Sequence, residues 1–261
     1  MAEGRTGQRD PGRLPTLVSE GVRATIRLNR PALHNRIEPE DLTEIGRLLD
    51  QADTDPALRV LVLTGTGDRT FSSGYNIGKI NGDSGDSSFE KLTDRMERFR
   101  LPTICALNGG VYGGSTDLAL ACDFRIGVEG MQMFMPAARL GLHYYAGGLR
   151  RYVDRLGLGA AKRLFLTGQP IDAAEMLRIG YLDEVVAPEQ LETRVAEWVA
   201  ILAANAPLAV QGTKASLNAI ARGEVDLDAI AAGEAACARS ADLVEGRDAW
   251  LAKRTPRFIG A

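Results

Sequence analysis

The run TICALNGGVYGGSTDLALACD at residues 103–123 passes from a β-branched, apolar strand signal through two pairs of glycines into a segment with helical spacing. In the helical part Leu118, Ala119, Ala121 and Cys122 are available for packing. A helix that starts near Gly114 points its first N–H groups and the positive end of its dipole back at the glycines. Glycines, in turn, let a ligand come close to the backbone. A second glycine-rich loop, FSSGYNIGKI at 71–80, follows directly on another strand signal, RVLVLTG at 59–65. Together the two loops could supply two N–H donors to one oxygen, as stabilisation of an enolate or a tetrahedral thioester oxyanion requires. Either loop alone reads equally as a tight strand-to-helix connection.

Outward from these loops, short β-branched runs (ATIRLN at 24–29 is a third) alternate with longer helical segments, which implies an α/β core. In the first helical segment Leu42, Ile45, Leu48, Leu49 and Ala52 share one face, with Pro39 near the start where its missing N–H costs nothing. After about residue 158 the strand signal fades except for YLDEVV at 181–186, and helical patterns run to the end. The expected organisation is a flexible tail at 1–14, a core at 15–200 and a helical region at 201–261. The excess of apolar faces in that last region suggests packing against other subunits.

Bulk properties exclude several classes. With 45% hydrophobic and 25% charged residues in 261, the chain can bury a sizeable core. A net charge of −3 without clustered Lys and Arg argues against a nucleic-acid groove. No stretch reaches the ~18 apolar residues of a membrane span, and the charged N-terminus does not read as a signal peptide, so the cytoplasm is the expected location. Cys105, Cys122 and Cys237 lack metal or disulfide spacing, and His34 and His143 lie far apart, so no metal site is expected.

Five segments, LNRPALHN at 28–35, LTGTGDRTFSSGYNI at 63–77, LPTICALNGGVYGGSTDLALACDFRI at 101–126, LTGQPIDAAEMLRIGYLDEVV at 166–186 and EGRDAWLAKRTPRF at 245–258, occur in the order of the crotonase (enoyl-CoA hydratase/isomerase) superfamily. The chain resembles that family from about Leu17 to the C-terminus. The resemblance implies a spiral of ββα turns, a C-terminal helical trimerisation region, and a homotrimer or a dimer of trimers. It also implies an acyl-CoA substrate, with coenzyme A as part of that substrate and no separate cofactor. By position, the amides of Tyr75 and Gly114 would hold the thioester oxygen. Ser73, Asn76 and Ile77 would line the adenine and pantetheine path and Gly113 would border the substrate. Arg30 and the Lys253/Arg254 pair become contacts to CoA phosphates or, equally, ordinary solvated charges.

The sequence departs from the pattern at the acid/base pair. Where hydratases of this family carry two glutamates, this chain has Asp117 and Ala137. Adding water across a double bond is well served by two carboxylates, one activating water and one delivering a proton. Asp117 is expected to act in catalysis or substrate orientation; it also reads as an acidic residue complementing a helix N-terminus. In GLHYYAGGLRRYV at 141–153, His143, Tyr144 and Tyr145 are candidates for the missing acid, or space-filling residues with satisfied polar atoms. Of these Tyr144 is the expected donor, its position being similar to that of a tyrosine in crotonase-type methylmalonyl-CoA decarboxylases. Three functions stay open: a hydratase/isomerase, a decarboxylase of a malonyl-type CoA using Tyr144, and an acyl-CoA-binding homologue without turnover. The poorly patterned segment 79–98 reads as a flexible loop leading into a helix that sets acyl specificity.

Overall fold

The apolar run at 60–65 forms a strand buried at all six positions, as a parallel strand covered on both faces should be. It belongs to a computed structural model that describes residues 12–79 and 88–261. The first described elements are β1 (Thr16–Glu20), β2 (Arg23–Leu28), α1 (Pro39–Asp53) and β3 (Val60–Gly65). There follow β4 (Thr70–Ser72), α2 (Ser88–Glu97), β5 (Thr103–Leu107), β6 (Gly110–Tyr112) and α3 (Gly114–Ala121). Next come β7 (Phe124–Val128), β8 (Gln132–Phe134) and the long α4 (Ala146–Thr167), which is broken at Gly157. The chain then forms β9 (Ile171–Asp172), α5 (Ala173–Arg178), β10 (Glu184–Val186), α6 (Leu191–Ala203), α7 (Pro207–Ala221), α8 (Leu227–Ala238) and α9 (Ala241–Leu251).

Three successive turns, β3–β4–α2, β5–β6–α3 and β7–β8–α4, repeat one strand–strand–helix pattern. The first strand of each turn enters a six-stranded sheet in the order β1-β2-β3-β5-β7-β10, and the second enters a four-stranded sheet in the order β4-β6-β8-β9. Apart from the antiparallel β1/β2 and β8/β9 pairs, every pairing is parallel. This is the ββα spiral that the family resemblance implies. The amphipathic reading of α1 holds at each position: Leu42, Ile45, Leu48, Leu49 and Ala52 are all buried. Helix α6 packs back over β3, β5 and β7 and completes the core.

The expected tail at 1–14 lies mostly outside the described residues. Where description begins, the chain is already held: the amide of Arg13 donates to the carbonyl of Asn29 at 2.9 Å. Likewise, the first part of the segment expected to set specificity lies outside the described residues, and α2 is the helix expected after it. Among the described residues no single helix is long and apolar enough to cross a membrane.

The C-terminal helices differ from the core in what they bury. Helix α7 buries only Pro207, and α8 buries no residue. Lys214 ties α7 to the core, its ammonium 2.6 Å from Asp123 Oδ2 and donating to the carbonyl of Leu101 at 2.6 Å. Large apolar side chains remain in solvent on this region, among them Leu227 at 73% and Trp250 at 85% exposed.

Asn35 holds the segment leading to the first glycine loop. Its side chain accepts from the amide of Arg30 at 3.1 Å and donates to the carbonyls of Thr66 and Thr70, both at 2.9 Å. Its own φ is 51°, in the left-handed region that Asn tolerates better than most residues. Asn35→Ala leaves buried backbone groups unpaired and strains the new residue, so a loss of roughly 3 kcal/mol is expected in denaturant unfolding. A change under about 0.5 kcal/mol would show that Asn35 does not hold this segment.

Candidate active site

The two glycine loops leave one edge of the small sheet together, because β4 and β6 are parallel neighbours with Thr70 opposite Gly110 and Ser72 opposite Val111. Parallel strands end at the same side, so the residues that follow them are neighbours as well. The Ser115 hydroxyl fastens the junction, with the carbonyl of Tyr112 at 2.7 Å and that of Ser72 at 3.1 Å. Gly74, at φ 93°, sits so close to the second loop that a Cβ there would lie 2.6 Å from the carbonyl oxygen of Tyr112 and 3.3 Å from the Gly114 nitrogen. Only glycine permits that approach.

The orientation of the Tyr75 peptide follows from its flanks. Gly74 accepts from the amide of Ile37, and Asn76 donates to the carbonyl of Ile37, both at 2.9 Å. In an extended segment alternate residues point their N–H and C=O groups to opposite sides. The N–H of Tyr75 is therefore turned away from Ile37, toward the β6/α3 side where Gly113 and Gly114 lie. Gly114 is the first residue of α3, and helix geometry aims its amide out of the N-terminal end. Glycine at 113, with φ 56°, makes the turn into the helix.

A buried polar cluster lies behind this point. Asp117, one turn further along α3, has 0% exposure. Its Oδ2 accepts a short hydrogen bond from the hydroxyl of Tyr145, and its Oδ1 lies 3.4 Å from Nε of Arg151, itself 0% exposed. Arg151 also reaches Asp94 Oδ1 at 2.9 Å and Glu97 Oε1 at 3.8 Å, both carboxylates belonging to α2. Glu97 is further paired with Arg150 at 2.7 Å. Burial pushes the Asp117 carboxyl above the usual carboxylate range, and the Arg151 charge and the Tyr145 hydrogen bond offset part of that rise. Burial and then the Asp117 charge hold the Tyr145 phenol well above its ordinary value. Burial pulls Arg151 down, but the charges of Asp117, Glu97 and Asp94 outweigh it, so the guanidinium stays charged.

Aromatic rings bridge the cluster to the loops. Phe89 stands 5.8 Å from the ring of Tyr75 and 6.3 Å from that of Tyr145. It covers Gly114 so closely that a Cβ there would meet its Cζ at 2.9 Å. Tyr144 stacks on Tyr145 at 4.2 Å, and Gly148 makes room for the pair, since a Cβ there would fall 2.3 Å from Tyr144 Cε1.

The other expected site residues have these surroundings. The Tyr144 hydroxyl donates to that of Tyr145 at 3.2 Å, and Tyr145 in turn donates to Asp117. Tyr145 immediately precedes α4, and its hydroxyl reaches the carboxylate. Arg30 is not a solvated charge. Its guanidinium is buried against Asp41, with Nε to Oδ2 at 2.8 Å and Nη2 to Oδ1 at 3.0 Å, and touches Glu40 at 3.0 Å. Asp41 is fixed there because it also accepts the amide of Glu38 in the box that starts α1. The side-chain amide of Asn76 donates to Glu38 at 2.8 Å and accepts from Gly78 at 3.0 Å, so it shapes the turn.

Ser73 and Ile77 are exposed beside the loop, Ser73 donating from its hydroxyl to the carbonyl of Leu33 at 3.3 Å. His143 is exposed, with Nδ1 2.9 Å from the carbonyl of Tyr144. Lys253 is exposed in the left-handed turn after α9, whereas Arg254 is paired with Glu245 at 2.6 Å. Ala137 is buried, and no carboxylate stands at that position. Arg151, Phe89 and Glu90, whose Oε1 accepts the amide of Gly147 at 3.2 Å, were not singled out from the sequence. The signal available for Arg151 was the Asp94/Glu97 pair at helical i,i+3 spacing, two carboxylates needing a cation.

The family model described as "Enoyl-CoA hydratase/isomerase" matches residues 18–261. The chain belongs to the enoyl-CoA hydratase/isomerase family. It is 33% identical over 253 residues to the crotonyl-CoA hydratase of Syntrophomonas wolfei subsp. wolfei, covering 93% of this chain and 96% of that one. It is 32% identical to the short-chain-enoyl-CoA hydratase of Clostridium acetobutylicum, over 91% and 94% of the two chains. Among solved structures it is similar to an enoyl-CoA hydratase from Bacillus anthracis, with a TM-score of 0.85, 31% identity, and coverage of 95% of this chain and 100% of that one. The fold is accordingly the crotonase fold, and the chain is an enzyme of the enoyl-CoA hydratase/isomerase class.

Gly74→Ala tests the junction of the loops. A methyl group there must push Tyr112 and Gly114 away from the Tyr75 peptide, and displacement of a donor by about 1 Å costs on the order of 10²-fold in rate. Turnover is expected to fall by about that factor while acyl-CoA binding weakens much less. Undiminished turnover would mean that the close approach has no catalytic meaning.

Proposed function

We propose that this enoyl-CoA hydratase/isomerase-class enzyme takes a short-chain enoyl-CoA. In this reading the amides of Tyr75 and Gly114 receive the thioester oxygen as it acquires enolate character. The observation that carries the reading is the close approach of Gly74, which precedes the Tyr75 amide, to the Gly114 nitrogen at the start of α3. Donors held in place by β4/β6 pairing need no reorganisation when charge develops, and one such donor is typically worth about 10²- to 10³-fold in rate. The dipole of α3 adds to the same end. The substrate brings its own coenzyme A, and the proposed chemistry draws on no other cofactor.

Short acyl groups are favoured by the ring of Phe89, which stands over Gly114 between Tyr75 and Tyr145 and limits the space beyond the thioester. The names of the Syntrophomonas and Clostridium relatives, crotonyl-CoA and short-chain-enoyl-CoA hydratase, support the same length. A second reading, decarboxylation of a malonyl-type CoA, is favoured by Ala137: that reaction needs the oxyanion donors and one proton donor but no second carboxylate. We also infer a homotrimer or dimer of trimers, in which a second copy covers apolar residues left exposed by α7, α8 and α9. Sedimentation is expected to give three or six protomer masses.

The decisive assay is loss of the enoyl-thioester absorbance on incubation with crotonyl-CoA and longer enoyl-CoAs, run beside carbon dioxide release from methylmalonyl-CoA. Hydration fastest at four carbons is expected. Carbon dioxide release without hydration would favour the second reading, and inertness in both assays with intact CoA binding would leave a binding protein. Phe89→Ala is expected to raise kcat/KM for octenoyl-CoA relative to crotonyl-CoA at least about tenfold, since each methylene admitted to an apolar pocket is worth roughly 1–3 kcal/mol.

A further inference from the structure

We propose that Tyr145 is the residue that exchanges a proton with the α-carbon of the acyl group, and that Asp117 acts through it as a positioning and proton-storing residue without touching the substrate. The proposal rests on the reading of Tyr75 and Gly114 as enolate-stabilising donors.

The geometry assigns these roles by exclusion and by reach. Asp117 has no surface to offer: it is 0% exposed, with Oδ2 taken by the Tyr145 hydroxyl and Oδ1 facing Arg151 Nε. The carboxylates around it are committed as well, Asp94 to Arg151, Glu97 to Arg150 and Glu90 to the amide of Gly147. Tyr145 is partly buried, as is Tyr144, but of the two only Tyr145 is hydrogen-bonded to Asp117. Asp117 lies three residues after Gly114, on the same face of α3. The Tyr145 ring also borders Phe89, which covers Gly114. Thus the Tyr145 side chain joins the buried carboxylate, through its hydroxyl, to the ring that covers Gly114.

The proton step closes along the observed hydrogen bond. As the α-carbon C–H bond breaks, its proton passes to the Tyr145 oxygen while the Tyr145 O–H proton passes to Asp117 Oδ2. The C–H electron pair becomes the enolate held by the two amides. In reverse, the enolate carbon takes the Tyr145 proton, the carbonyl re-forms, and the Asp117 carboxyl returns its proton to the phenol. No other reactant is required. Arg151 keeps Asp117 within reach of the ionised form despite burial, and the groups facing Tyr145 from neighbouring elements are Thr93, Tyr144 and Asp117, with Asp94, Glu97 and Tyr152 beyond.

The test is exchange of the α-protons of butyryl-CoA with D₂O, followed by mass spectrometry, alongside calorimetric binding of the same thioester. Wild type is expected to exchange, with a rate that falls as pH is lowered through the ionisation of Asp117, because relay into the carboxylate requires its charged form. Tyr145→Phe is expected to lose at least about 100-fold in exchange with its dissociation constant within about threefold of wild type, and Tyr144→Phe to lose far less. Asp117→Asn is expected to lose about tenfold or more and, with it, the acidic limb of the pH profile, which a purely structural role would not remove. Exchange undiminished in Tyr145→Phe but abolished in Asp117→Asn overturns the proposal in favour of direct action by Asp117. Wild-type protein that binds butyryl-CoA without exchanging it overturns the enolate reading itself. Should Tyr145→Phe fail to fold, an acidic limb that persists in Asp117→Asn still overturns the relay.

Discussion

Parallel pairing of β4 with β6 is the constraint on which the site depends. Neither glycine loop has a conformation of its own that brings it to the other. They meet because two short strands end side by side, and because Ser115 bonds back to Ser72 and Tyr112 across the junction. The same pairing fixes the direction of the Tyr75 peptide, since the other side of that segment is already bonded to Ile37. The meeting of the two loops is thus a product of sheet topology, with glycines at 74, 113 and 114 permitting what the topology demands.

The charged cluster behind the loops has a different logic. Burying Asp117 and Arg151 together costs desolvation that a 3.4 Å contact repays only in part. Additional partners offset it: the Tyr145 hydroxyl on one side, and Asp94 and Glu97 on the other. Those partners come from α2 and from the start of α4, so the network joins three helices around the reacting space. Removing one member leaves an unbalanced charge in the interior, typically a penalty of about 3–5 kcal/mol, which ties stability and chemistry to the same residues.

Outside the core the C-terminal helices leave apolar residues exposed. Helices α7 and α8 bury little within it, and Leu227, Leu251 and Trp250 stand in solvent. An apolar surface of this kind has a cost in water that a second copy of the chain would relieve.

The sequence by itself determined the α/β alternation, the buried face of α1, the helical C-terminal region and the two glycine loops, because each is written in local periodicity or in residues with unusual backbone freedom. It also determined that Ala137 offers no carboxylate. Only the tertiary structure decided that Tyr145 and not its neighbour meets Asp117, because the two rings stack side by side and periodicity does not rank them. Arg30 likewise reads as a surface cation until Asp41, eleven residues on, is seen to enclose it. Arg151 took on meaning only when Asp94, Glu97 and Asp117 came together from separate helices. Long-range electrostatic partners are chosen by the packing of elements, and no local pattern in the chain records that choice.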